Sequence, residues 1–110
     1  MERISQLERK YIKEVLNNGF KGNKSSMYTS LLESKFAEKI GVSHAVAFTN
    51  GTATMHASLE AIGVGIGDEV IVPPLTMSAT TFAVLQCNAK PVFADVDPET
   101  FTIDPKDIAK

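Results

Sequence analysis

Apolar residues recur with a helical period at the start of the chain. Across residues 3–17, Ile4, Leu7, Tyr11, Val15 and Leu16 fall at spacings that share one helix face. The stretch NNGFKGNKSS (17–26) loses the period, carries Gly19 and Gly22, and predicts a loop. A second helix is predicted over 30–40, with Leu32, Phe36 and Ile40 on one stripe. Gly41 stands where a helix C-cap is expected.

The pattern then changes. HAVAFT (44–49) is a short apolar run and predicts a strand, and NGTATMHASLEAIGV predicts a helix opening at Gly51 or Thr52. Gly63, Gly65 and Gly67 punctuate its end, and EVIVP (69–73) predicts the next strand. A helix is predicted from Thr76, a good N-cap residue, to about Asn88, and PVFADV (91–96) predicts a third strand. Short strands alternating with helices predict an α/β unit with right-handed crossovers and a parallel sheet. Asp104 followed by Pro105 is a helix start, with an N-cap and a proline at the first helical position. The sequence ends at Lys110, little more than a turn later. The expectation is the front part of a longer protein.

Composition narrows the function classes. The chain has 110 residues, 44% hydrophobic and 22% charged, with a net charge of −2. That is the make-up of an ordinary globular protein and argues against wholesale disorder. Near-neutrality argues against nucleic acid or anionic lipid as the main partner. No apolar run approaches the about 20 residues of a membrane span. The charged N-terminus, MERISQLERKYIKEV, lacks the apolar core of a secretory signal. The single cysteine, Cys87, has no internal disulfide partner, so the expected setting is reducing and cytoplasmic. Charge is uneven: residues 1–40 carry eight basic and five acidic side chains, residues 41–110 three and eight. Two solvated faces account for this, and so does a basic N-terminal arm that meets an acidic partner such as another subunit.

The residues that could carry chemistry cluster at predicted strand ends. Asn50-Gly51-Thr52 begins a helix, where free N–H groups and the positive dipole end suit an anion. Glycine permits close approach, and the Thr52 hydroxyl adds a donor. The same residues also serve as a plain turn and cap. GVGIGDEV (63–70) has dinucleotide-loop glycines in the wrong context, after a helix and before a strand, and reads as a C-cap and turn. VPPLTMSATT (72–81) again joins a strand end to a helix start, where ligands of open α/β sheets bind. Met77, Ser78 and Thr80 are its candidates, with an ordinary capped helix as the alternative. His44, His56 and Cys87 read as structural or surface residues. Asp95 and Asp97 have no further ligand to complete a metal site, and VDPET reads as a turn.

The run AVAFTNGTATMHASLEAIGVGIGDEVIVPPLTMSATTFAVLQCNAKPVFADVDPETFTIDP resembles the DegT/DnrJ/EryC1/StrS family. The combination of a Gly-Thr turn, GDEVIVP, a Pro-x-Thr helix start and KPVFADVDPET carries the resemblance. It covers nearly the whole chain and is strongest over residues 44–105. It implies the aspartate-aminotransferase fold type I, a three-layer αβα domain using pyridoxal 5'-phosphate (PLP). Residues 1–43 would form an N-terminal helical segment and 44–110 the first part of the PLP-binding large domain, with its sheet incomplete. The implied reaction is amination of a nucleotide-linked keto-sugar, with glutamate the usual donor, in a homodimer. A sugar dehydratase of the same family, with histidine for the Schiff-base lysine, is the alternative. So is a truncated, non-catalytic dimerisation or regulatory module.

By that resemblance, Gly51 and Thr52 match the turn that binds the cofactor phosphate. Met77 matches a position that usually holds an aromatic ring stacked on the pyridine, and is a departure. The family's Schiff-base lysine and its pyridine-pairing aspartate lie beyond the matched part. None of Lys90, Lys106 or Lys110 stands in a matching motif. The resemblance therefore implies no catalytic residue here and an inactive isolated chain, aggregation-prone or molten because HAVAFT lacks its sheet neighbours.

Overall fold

A computed structural model of the chain describes residues 3–17 and 25–110. The chain divides into two units, Met1–Ala47 and Phe48–Lys110.

The first unit holds α1 (Gln6–Asn17) and α2 (Ser25–Ile40). α1 starts later than the apolar period suggests because Ser5 and Glu8 form a capping box. The Ser5 N–H donates to Glu8 Oε2 at 2.5 Å, and the Glu8 N–H donates to Ser5 Oγ at 3.3 Å. Most of the predicted 17–26 loop lies outside the described residues. Ser25 and Ser26, expected in that loop, are helical, so α2 begins five residues before the predicted start. Tyr28 explains the extension. Its ring lies 5.6 Å from that of Tyr11, and its hydroxyl donates to Glu14, which pushes the phenol above its usual range. α2 ends where Gly41, at φ 77°, donates to the Ala37 carbonyl at 2.9 Å.

The predicted strand over 44–49 is not formed. Residues 44–48 carry no ladder to another strand. A strand needs a neighbour to satisfy its backbone, and the described residues supply none. One side chain substitutes in part: Glu33 Oε1 accepts the Ala47 N–H at 2.9 Å. Leu32 and Phe36 of the predicted stripe face Ala45, Val46 and Ala47 across an open cleft of about 300 Å³.

The second unit holds α3 (Gly51–Ala61), β1 (Glu69–Val72), α4 (Ala79–Gln86), β2 (Lys90–Phe93) and α5 (Pro105–Ile108). β1 and β2 pair in parallel, Glu69 opposite Lys90 through to Val72 opposite Phe93. α4 is the crossover between them, as the strand–helix–strand alternation requires. Val72, Val84, Cys87 and Ala89 form the buried cluster, with Leu59, Val64 and Val70 packed on it. The three glycines after α3 are the cap and turn that their context implied. Gly63, at φ 87°, donates to the Glu60 carbonyl, and Val64 donates to the Leu59 carbonyl at 3.0 Å.

α4 departs from expectation at both ends. Thr76 is not its N-cap: the helix opens at Ala79 with Ser78 in the cap position, and Ser78 makes no side-chain capping bond. Pro73 and Pro74 hold the preceding backbone away from the helical region, so residues 74–76 bend before the helix begins. At the other end Cys87 is the C-cap, and Asn88 turns the chain out at φ 57°. The third predicted strand is shorter than PVFADV. After Phe93 the chain leaves β1, and Val96 bridges Ile103 antiparallel instead. Asp97 organises the intervening turn by accepting the N–H groups of Glu99 at 2.8 Å and Thr100 at 3.0 Å. Asp104 caps α5 by accepting the Lys106 N–H at 2.9 Å, as Asp-Pro predicted.

Candidate functional site

The Asn50-Gly51-Thr52 turn is the start of α3. Asn50 is extended, at φ −165°, and its Oδ1 accepts the Ala53 N–H at 2.9 Å. Its carbonyl accepts the Thr54 N–H and the Thr54 hydroxyl, each at 3.2 Å. Asn50 thus occupies the third and fourth N–H groups of the turn. The first two, on Gly51 and Thr52, have no acceptor among the described residues. A Cβ built on Gly51 would meet nothing within 4 Å. An anion therefore has two aimed donors, an open approach and the positive end of an eleven-residue helix.

The second candidate segment ends in α4. Thr76 Oγ1 lies 3.4 Å from Thr80 Oγ1, and the Met77 carbonyl accepts the Thr80 N–H at 3.1 Å. Met77 itself is 73% exposed. The two segments converge through their next residues. Thr54 of α3 and Thr80 of α4 line one cleft of about 300 Å³, floored by Val70, Ile71 and Val72 of β1. Gly51, Thr52 and Met77 are not in its lining. Ser78 and Thr81 are not either.

The remaining reactive residues are engaged elsewhere. His56 Nε2 lies 3.2 Å from Glu60 Oε1, an exposed i,i+4 pair. Cys87 is buried, and burial, helped by the Glu60 charge, pushes its thiol up. Lys90 Nζ pairs with Glu69 at 2.7 Å, and that hydrogen bond raises the ammonium. Both residues open their strands, at the opposite end of the ladder from Val72 and the Met77 loop. Lys110 Nζ pairs with Asp107 at 2.6 Å. Among the described residues, no three His, Cys, Asp or Glu side chains are grouped to hold a metal ion, and no helix is long and apolar enough to cross a membrane. Sequence reasoning missed Asn50 as the residue that selects which N–H groups stay open. Asparagine ahead of Gly-Thr was the available signal.

The chain is similar to known proteins in sequence and in fold. GDP-perosamine synthase from Vibrio cholerae is 36% identical over 103 residues, 94% of this chain and 28% of that protein. The solved aminotransferase from Psychrobacter cryohalolentis superposes with a TM-score of 0.83 at 36% identity, over 96% of this chain and 27% of that one. The E. coli GDP-4-keto-6-deoxy-D-mannose-3-dehydratase, solved with bound hydrated PLP, gives a TM-score of 0.77 at 28% identity, over 94% and 28%. The chain thus spans only 27–28% of the length of these relatives. The α/β fold is the one the resemblance implied, with a sheet of two strands. The family model matches residues 2–110, and the chain belongs to the DegT/DnrJ/EryC1/StrS aminotransferase family.

Proposed function

We propose that this chain supplies the cofactor-phosphate turn of a PLP-dependent sugar aminotransferase. The reaction moves an amino group, expected from glutamate, to a nucleotide-linked keto-sugar. The observation that carries the reading is the pair of N–H groups on Gly51 and Thr52 without an acceptor among the described residues, with open space where a Gly51 side chain would sit. Those two groups and the Thr52 hydroxyl hold the phosphate, and Asn50 keeps Ala53 and Thr54 out of the competition. Met77, following the carboxyl end of β1, packs its thioether on the ring face. When bound, PLP supplies the electron sink for bond changes at the amine-bearing carbon.

No lysine of this chain is assigned as the covalent anchor. Lys90 and Lys110 are held by carboxylates, and Lys90 sits at the wrong end of the strands. By itself the chain is therefore assigned phosphate binding and no transamination. A homodimer, a cytoplasmic setting and a nucleotide-sugar partner belong to the same proposal. So does a division into a helical segment, 1–43, and the first part of the large domain, 44–110. Likeness to the solved dehydratase favours dehydration as a second reading. The phosphate turn serves both, and the covalent residue, lysine or histidine, separates them.

Titrating PLP onto the chain tests the proposal. Saturable binding without an imine absorbance band is expected. Losing one hydrogen bond to a charged group costs about 1.5–3 kcal/mol, so Thr52→Val should weaken binding about tenfold or more. A stoichiometric imine band, or equal affinity for Thr52→Val, overturns it.

A further inference from the structure

The chain has four methionines, and three lie among the described residues. Met55, in α3, is half-buried and lines the Thr54–Thr80 cleft. Met27, in α2, is 51% exposed. Met77 is 73% exposed, outside any helix or strand, between exposed Thr76 and Ser78. Its backbone carbonyl is fixed by Thr80, but its side chain is open to a small oxidant. Exposure governs the oxidation of a thioether, and the sulfoxide is polar where the methionine was apolar.

We propose that Met77 is a peroxide-sensitive modification site, shielded when PLP occupies the Gly51–Thr52 turn. Hydrogen peroxide transfers one oxygen to Sδ. The O–O bond breaks, an S–O bond forms, sulfur loses two electrons, and water leaves. The sulfoxide cannot pack on a ring face as the thioether does, so cofactor affinity falls. An aromatic ring at this position offers peroxide no comparable atom. The shielding half rests on the reading of Met77 as the ring-facing residue.

The test treats the full chain with hydrogen peroxide alone, with inorganic phosphate, or with PLP. Peptide mass mapping then follows each methionine. Met77 should gain an oxygen ahead of Met27 and Met55, and PLP should slow Met77 alone while phosphate should not. Peroxide should lower PLP affinity for the native chain and leave Met77→Leu unaffected. Oxidation of Met77 no faster than Met27 overturns the modification site. Equal protection by phosphate, or an equal affinity loss in Met77→Leu, overturns the shielding. Absence of PLP binding by equilibrium dialysis, with Met77 still oxidised first, fails the phosphate-turn reading and upholds the modification site.

Discussion

Asn50 does two things at one position, and substitutions separate them. Asn50→Ala removes the cap on Ala53 and should cost about 1 kcal/mol of helix stability, read as a loss of helical circular dichroism. Asn50→Asp keeps an acceptor for the Ala53 N–H and adds a negative charge beside the open donors. Stability should hold while phosphate affinity drops. Asn88 is the second sensitive residue, because its left-handed backbone penalises any residue with a Cβ and no compensating local bond. Asn88→Ala should destabilise by roughly 1–2 kcal/mol, and Asn88→Gly by much less; a flat result for alanine would mean the turn adjusts. Asn50 was visible in the sequence as part of a turn and cap, whereas Asn88 was read only as the approximate end of a helix. What the sequence did not carry was the Tyr28 contact with Tyr11 and Glu14, which joins residues from two helices and has no local signature.

Among the elements, the 95–110 segment is the one held mainly by carboxylates. Asp107 accepts the Asp95 N–H and the Lys110 ammonium, each at 2.6 Å, and Asp97 accepts two turn N–H groups. The Asp95 N–H, then Lys110, lowers Asp107 below the usual 3.8; the Thr100 and Glu99 N–H groups lower Asp97. A lowered carboxylate contributes stability at pH above its unfolded value and loses it as pH falls through the folded value. The clasp should therefore be intact above about pH 4 and open on further acidification. The amide resonance of Asp95 should follow Asp107 and those of Glu99 and Thr100 should follow Asp97, with midpoints below 3.8; midpoints at or above that value would show the bonds are not formed. Element type was legible from periodicity wherever partners were local, as in β1–α4–β2. It failed at 44–49, where an apolar run signals a strand but only a neighbouring strand can make one. The Thr76 cap failed for a nearer reason, because two prolines delay the helical turn that a threonine would otherwise start.

For each unit as a whole, the buried set is small. Among the described residues it comprises Val72, Val84, Cys87 and five alanines, while Phe82, Leu85 and Phe93 of the second unit and Phe36 and Ile40 of the first stay exposed. Alanine contributes little burial, and exposed aromatic and aliphatic side chains mark surfaces made to be covered. The chain alone should bind an apolar dye and melt without a sharp transition, with helical circular dichroism retained. A cooperative melt of a soluble monomer would refute this. The family could be read from motif spacing, since GDEVIVP and KPVFADVDPET lie within the residues that the family model matches. Exposure could not, because a helical stripe shows which residues share a face and not whether that face is covered.

The parallel pair of β1 and β2 has a consequence for biosynthesis. Most parallel pairings must wait for distant segments, which makes them slow. Here both strands and their crossover lie between Glu69 and Ala94, and the Ala94 N–H closes the ladder on Val72 at 3.1 Å. On the ribosome this piece is complete once Ala94 clears the exit tunnel, before Asp107 emerges to fasten the segment behind it. At about 5–20 residues per second, the nascent chain spends around a second with the ladder made and the clasp still open. A translational pause downstream of that point would lengthen the interval in which a chaperone meets a finished strand pair with bare edges.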